Sequence, residues 1–235
     1  MRFITEMLGS CGCVADIGTD HGLIPIYMVL SGMAEKAILS DIAKGPLARA
    51  EENLALYCDP SDDRFSLRLG AGLDSLEPAE ADGIIIAGMG GETIAEILSE
   101  SPDIARSAKR LVLQPRTKCS LLRRWLDSEG YSITEERLAE ENGHIAQILT
   151  AVPEANAEGS ERFSEGFDYE IPPMLIENND PLLLKYLDNL ISQAEAVVES
   201  MEDAQDEASG LSLAWTFRLK ELIDIKVRYE EKRDL

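Results

Sequence analysis

Base is what this chain has least of relative to acid: 22 Lys and Arg stand against 44 Asp and Glu, a formal net charge of −22 over 235 residues. That balance excludes a generic, charge-driven nucleic-acid binder. Histidine and cysteine are scarce too, at two and four residues. Cys11 and Cys13 have the wrong spacing for a zinc knuckle, Cys58 and Cys119 stand apart, and only His21 and His144 could assist, so no metal site is expected. Reduced thiols are the expectation. No apolar run reaches membrane-spanning length, and residues 1–10 lack a basic region followed by an apolar core and a cleavage site. Together these predict a cytoplasmic protein without membrane contact. There is no G-x-x-x-x-G-K-[ST] loop, and no complete G-x-G-x-x-G.

The chain does have enough apolar residue, 45% by composition with 28% charged, for one substantial core and a smaller appendage. Its organising stretch is Val14-Ala15-Asp16-Ile17-Gly18-Thr19-Asp20-His21-Gly22. A short apolar run enters it and a helically spaced one leaves it, which reads as strand, tight turn and helix. Gly18 and Gly22 free the backbone, and the helix start offers unpaired N–H groups. An ordinary strand-to-helix turn has the same signature. The next apolar run ends in Asp41, about 20 residues after the glycines, where an acid can accept hydrogen bonds from both hydroxyls of a ribose.

Taken in order, residues 1–8 are predicted helical, 13–17 a strand and 24–30 a helix with Pro25 in its first turn. Strand 37–41 and an amphipathic helix over 44–57 follow. Residues 65–69 alternate as a strand that exits into Gly70-Ala71-Gly72. Residues 83–87 are the most apolar run, as a strand covered on both faces should be, and open into Gly88-Met89-Gly90-Gly91. A helix over 92–98, a strand over 111–113 ending at Gln114-Pro115 and a helix over 119–127 come next. Strands 131–137 and 144–152 should form a hairpin around Glu141-Asn142-Gly143. This pattern predicts an α/β doubly wound sheet whose last strand inserts antiparallel. Residues 153–166 read as an acidic linker and 167–178 as a docking segment. Asp180-Pro181 should open a helix carrying Leu183, Leu187, Leu190, Ala194, Val197 and Met201. An acidic connection over 202–210 leads to a second stripe of Trp215, Leu219, Leu222, Ile223 and Val227, and the two helices should pair as an antiparallel hairpin. Two domains result, 1–153 and 154–235.

Asp16, Gly18, Asp20, Asp41, Gly70, Gly72 and Gly88 all fall at the carboxyl ends of predicted strands, the edge where open α/β sheets bind ligands. A nucleoside clamp with an amino-acid end and no phosphate-binding Lys points to S-adenosylmethionine rather than NAD or ATP. The stretches VADIGTDHGLIPIY, SDIAKGPL, LRLGAGL, IIIAGMGG, LVLQP and YEIPPMLIENNDPLLLKYL resemble, collinearly over nearly the whole chain, the bacterial tRNA (adenine-22-N1)-methyltransferases. The resemblance implies a class I S-adenosylmethionine methyltransferase, a Rossmann-like sheet followed by a C-terminal α-helical hairpin domain with coiled-coil character. Such an enzyme transfers a methyl group to N1 of an adenine in the D-loop region of tRNA. Cofactor contacts are then expected from Asp16, Gly18, Thr19, Asp20, His21, Asp41, Ile42, Gly70, Ala71, Gly72, Gly88 and Met89. The target-base pocket would comprise Gly88, Met89, Gly90, Gly91 and Pro115. The sequence departs from the family's usual residues at Ala43, Ala71 and Arg116, and Ala71 leaves only backbone groups for the cofactor adenine, a loss of about 1 kcal/mol.

Adenine N1 is a free lone pair at neutral pH, so no strong general base is required and in-line positioning suffices. Asp20 or Gln114 would contact the edge of the unstacked base or the sulfonium. A capping acid is the other reading of Asp20. Between Ile104 and Leu126 the chain carries seven bases and no acid. Of these, Arg116, Lys118, Arg123 and Arg124 are expected to hold flanking phosphates of a tRNA partner, and a solvated helix face is the competing reading. A monomer is expected. Two other functions fit the acidic charge: a same-fold methyltransferase for a small molecule or protein, and a non-catalytic interaction protein with a decayed cofactor site.

Overall fold

Apolar runs alternating with amphipathic segments produce, in a computed structural model of the chain, one sheet with helices on both faces. The structure describes residues 2–59, 61–141, 143–153, 167–203 and 210–233. In chain order the elements are α1 (Arg2–Leu8), β1 (Cys11–Ile17), α2 (Leu23–Leu30), β2 (Ala34–Asp41), α3 (Lys44–Tyr57) and β3 (Phe65–Leu69). Then come β4 (Gly83–Gly90), α4 (Gly91–Glu100), α5 (Pro102–Ser107), β5 (Arg110–Thr117), α6 (Cys119–Ser128), β6 (Tyr131–Glu141) and β7 (His144–Pro153). The sheet order is β3-β2-β1-β4-β5-β7-β6. Strands β1 to β5 pair in parallel and β7 runs antiparallel to β5. Parallel pairing brings the exits of β1, β2, β3, β4 and β5 to one edge.

Both faces of the sheet are covered, which explains why residues 83–87 show no polar alternation. On one face Ile84, Ile86, Leu111 and Leu113 pack with Ile94, Leu98, Leu122 and Leu126 of α4 and α6. On the other, Val14, Leu39, Ile85 and Val112 pack with Met7, Leu8, Met28 and Val29 of α1 and α2.

Strand ends depart from expectation. β5 continues through Gln114 and Pro115 to Thr117, because β4 itself runs on to Gly90 with register irregularities at Ala87/Met89 and Met89/Gly90 that admit a proline. Helix α5, six residues long with Pro102 at its start, is too short to show a helical period and was not anticipated. The hairpin's Asn142, the linker residues 154–166 and residues 204–209 of the acidic connection lie outside the described residues.

One expected RNA contact is corrected here. Arg123 is 1% exposed, and its Nε donates to Glu136 Oε1 at 2.7 Å while Nη2 donates to Gln147 Oε1. The helical period that places Leu122 and Leu126 inward also turns Arg123 inward, between α6 and the β6–β7 pair. Burial pushes the Glu136 carboxyl up, and the adjacent Arg123 opposes that shift. A cation so enclosed cannot meet phosphate.

The chain divides into two compact units, Met1–Ala139 with Ala146–Ser164, and Glu140–Ile145 with Glu165–Leu235. The hairpin tip therefore associates with the helical unit, where Lys185 Nζ reaches Glu140 Oε1 at 2.7 Å. That unit holds α7 (Pro173–Glu177), α8 (Leu183–Asp203) and α9 (Gly210–Arg233). Helices α8 and α9 pack antiparallel, with Asp188 near the start of α8 paired to Lys226 near the end of α9 at 2.7 Å. Leu183, Leu187 and Ala194 of the expected α8 stripe are buried. Of the expected α9 stripe Leu222 is buried and Trp215 and Leu219 are half-buried, whereas Ile223 and Val227 are 41% and 45% exposed and Ile225 and Tyr229 are buried in their stead. One residue is 100° of helix, and the bond from Tyr229 Oη to the Asp180 carbonyl at 2.9 Å helps fix which face turns inward.

Breaking a buried ion pair leaves an uncompensated charge, whereas replacing both partners does not. Arg123→Met should lower the free energy of unfolding in urea by about 3–5 kcal/mol, and adding Glu136→Leu should recover most of that loss.

Candidate active site

Strand β1 delivers Asp16 to the carboxyl edge of the sheet, and the chain then turns at Gly18, whose φ of 75° is left-handed. The N–H groups of Gly18 and Thr19 both donate to the Ser40 carbonyl, at 2.8 and 3.0 Å. This seats the turn beside the end of β2, where Asp41 lies. Asp16 is buried, and its Oδ2 accepts the Thr19 hydroxyl at 2.7 Å. Burial pushes the Asp16 carboxyl up to about 6; the Thr19 bond opposes this and the nearby charge of Asp41 adds to it. Asp41 is therefore close enough for its charge to reach Asp16. Its Oδ1 accepts the Ala43 N–H at 2.7 Å, leaving Oδ2 without a partner among the described residues. Gly70 N donates to the Asp41 carbonyl at 3.0 Å, which brings the β3 exit alongside. Ile42 and Ala71 are exposed on this rim.

The exits of β4 and β5 form the neighbouring part of the edge. A Cβ on Gly18 would lie 2.1 Å from Met89 Cε, so the Met89 side chain spans from the β4 exit to the β1 turn. Gly88, with φ 78°, is exposed, and its Cβ would come 3.6 Å from Arg116 Nε. The Arg116 guanidinium thus lies over the Gly88 backbone. Gly90 approaches Thr117 Oγ1, and a Cβ on Gly91 would sit 2.4 Å from the Lys118 carbonyl oxygen. Gly91 is buried by that contact. Pro115 is buried opposite Met89 in register. Gln114 is buried, and its Nε2 has no hydrogen-bond partner among the described residues.

Asp20 and His21 are both exposed. The Asp20 carboxylate is bound by Arg49 of α3 and lies 3.3 Å from His21 Nε2. The Arg49 hydrogen bond holds the Asp20 carboxyl below the usual range, so it remains an anion and takes no proton at neutral pH. Thiol chemistry has no foothold here. Burial raises Cys11 to about 11, and Cys13, Cys58 and Cys119 are also raised, first by burial. Among the described residues no three His, Cys, Asp or Glu side chains come together as a metal site.

The run of bases over 106–124 does not form one patch. Lys109 pairs with Asp82 at 2.7 Å, and Arg110 Nη1 donates to the Leu8 carbonyl at 2.8 Å, both at the amino edge of the sheet. β5 is eight residues long, which carries Arg116 and Lys118 to the opposite edge, roughly 25 Å away. Lys118, held in left-handed backbone at φ 54°, pairs with Glu92 of α4. Arg124 is exposed on α6.

Comparison with known proteins bears on this arrangement. A family model described as a methyltransferase domain matches residues 1–149. The Bacillus subtilis tRNA (adenine(22)-N(1))-methyltransferase is 30% identical over 95% of this chain and 91% of its own length. The chain belongs to that methyltransferase family. The family's crystal structures share its architecture. That of the Bacillus subtilis M1A22 tRNA methyltransferase TrmK, 29% identical, superposes with a TM-score of 0.79 over 98% of this chain and 95% of its own. A Streptococcus pneumoniae structure in complex with S-adenosyl-L-methionine, 25% identical, superposes at 0.83 over 96% of this chain and 97% of its own.

Two expectations follow. The carboxylate form of Asp16 favours a cation and its protonated form does not, so affinity for a sulfonium cofactor should fall about tenfold as pH drops through about 6. Asp16→Asn should flatten that pH dependence in calorimetric titrations. Gly18→Ala strains a left-handed position and displaces the Met89 methyl, and should weaken cofactor binding about tenfold while far-UV circular dichroism stays native.

Proposed function

We propose that the chain transfers the methyl group of S-adenosylmethionine to N1 of the adenine at position 22 of tRNA. The observation that supports this reading best is the seating of the Gly18–Thr19 turn on the Ser40 carbonyl, which brings the buried Asp16 close to Asp41, whose Oδ2 has no partner among the described residues, on the edge that also carries the exposed Gly88. The donors present fit the cofactor: Asp41 Oδ2 is available to ribose hydroxyls, the exposed Ile42 to the adenine face, and the glycine turn to the amino-acid end. Thr19 serves by holding Asp16. Gly70, Ala71 and Gly72 offer backbone, not side chains, to the adenine. When bound, S-adenosylmethionine supplies an electrophilic methyl group on a sulfonium. As the N1–methyl bond forms the sulfur–methyl bond breaks, leaving a thioether and a cationic 1-methyladenine.

What the chain contributes is placement. N1 brings its own lone pair, so no residue has to remove a proton. Gln114, whose buried Nε2–H is unpaired, turns out toward an acceptor on the base other than N1, which leaves N1 to face the methyl. Met89 and Pro115 flank the exposed Gly88, and the Arg116 guanidinium that lies over it moves aside toward the RNA to admit the base. Asp20, committed to Arg49, orients the turn and moves no proton. Arg116 and Lys118 meet the phosphates beside the flipped nucleotide, Lys118 after exchanging Glu92, with Arg124 beyond them on α6. With tRNA as substrate, the reading puts the enzyme at work in the cytoplasm. A monomer suffices, since one chain carries every residue named. Among the described residues no helix is long and apolar enough to cross a membrane.

Mass spectrometry of nuclease fragments of tRNA from cells with and without the gene should show 1-methyladenine at position 22 only in the former. Cofactor binding with no transfer to unmodified tRNA would reject the substrate. Asp41→Ala should weaken cofactor binding by about 1.5–3 kcal/mol, as loss of a charged acceptor does. Arg116→Glu should raise KM for tRNA severalfold and leave cofactor affinity alone.

A further inference from the structure

We propose that Arg49 and Asn53, one turn apart on α3, are positioning residues that hold the cofactor turn in its binding shape. Resting on the cofactor reading of that turn, the assignment adds a second layer to it, drawn from a helix outside the glycine-rich loops. Three consecutive turn residues touch one patch of α3. Asp20 Oδ1 accepts Arg49 Nε at 3.0 Å and also Nη2. The His21 carbonyl accepts Asn53 Nδ2 at 2.9 Å. Gly22 lies so close that a Cβ there would be 3.2 Å from the Cβ of Ala50 and 2.5 Å from Leu39. Positions 49, 50 and 53 share one face of a helix.

The turn needs such support. Gly18 and Gly22 have φ of 75° and 66°, and residues with that freedom impose no shape of their own. Gly22 opens α2 without a side-chain cap. What fixes the direction of the Thr19-Asp20-His21 backbone is therefore the Ser40 carbonyl on one side and α3 on the other. Arg49 has a further effect. Asp16, Asp20 and Asp41 put three carboxylates near one edge, and the guanidinium neutralises the exposed one while its fork sets the direction of that carboxylate.

A partly exposed ion pair adds little to global stability. Removing it should loosen the turn without unfolding the protein, which separates positioning from structure. In calorimetry on the full chain with S-adenosylhomocysteine as probe, Arg49→Ala and Asn53→Ala should each raise Kd about fivefold. The double variant should fall short of the product of the two, since both act on one turn. Arg49→Lys, which keeps the charge and loses the fork, should recover part of the affinity. KM for S-adenosylmethionine should rise with Kd, while KM for tRNA and the thermal midpoint stay at wild-type values. Unchanged Kd in both alanine variants would overturn the proposal. So would a loss of cofactor binding that tracks a falling thermal midpoint and an equal rise in KM for tRNA. A wild-type chain that bound the probe but methylated no tRNA would reject the substrate reading and leave this one standing.

Discussion

The carbonyl oxygen of Ser40 receives two N–H groups, from Gly18 and Thr19, and much of the site depends on that shared acceptor. It bends the chain leaving β1 across the end of β2, which sets the glycine turn against Asp41. The same bend folds Thr19 back onto Asp16, where its hydroxyl steadies the carboxylate against the burial that raises its affinity for protons. Ser40 is itself fixed, because its hydroxyl meets that of Ser75 at 2.7 Å, beyond the β3 exit. One peptide unit thus couples the exits of three strands. A parallel sheet supplies this opportunity by ending adjacent strands at one edge.

How far the site could be read in advance depended on whether the governing interactions were local in sequence. The β1 strand, its glycine turn and α2 show themselves within nine residues, because apolar spacing changes period there and glycine marks the change. Asp41 was legible for a similar reason, as the acid at the tip of an apolar run. Arg49 and Asn53 were not: on the sequence they are polar residues on the solvent side of an amphipathic helix, and their partners lie 29 and 32 residues away. Gly91 read as an opening for a ligand, although the backbone that fills the space comes from the β5 exit. On α9 the spacing allowed two faces one residue apart, and a tyrosine hydroxyl reaching Asp180 accompanies the one adopted.

Charge shows the same division. Seven bases without an acid look like a phosphate-binding stripe when written in a line. In three dimensions the acids arrive from elsewhere: Asp82 to Lys109, Glu92 to Lys118, Glu129 to Arg106 and Glu136 to Arg123. With acids outnumbering bases two to one, most cations find an internal partner before any external anion. Arg116, lying over Gly88, has no ion pair among the described residues and is the cation best placed to act on a ligand. An acidic surface also repels polyanions that approach anywhere else, so discrimination against misplaced RNA is built into the net charge.

The four cysteines carry one more consequence. A thiol held near pKa 11, as Cys11 is, exposes about one thiolate in ten thousand at neutral pH. Since peroxides and alkylating agents attack the thiolate, the raised cysteines make this fold a poor target for oxidative damage. On the working edge the sulfur left open to oxidation among the residues named is then the Met89 thioether, and redox stress would reach the cofactor turn through it.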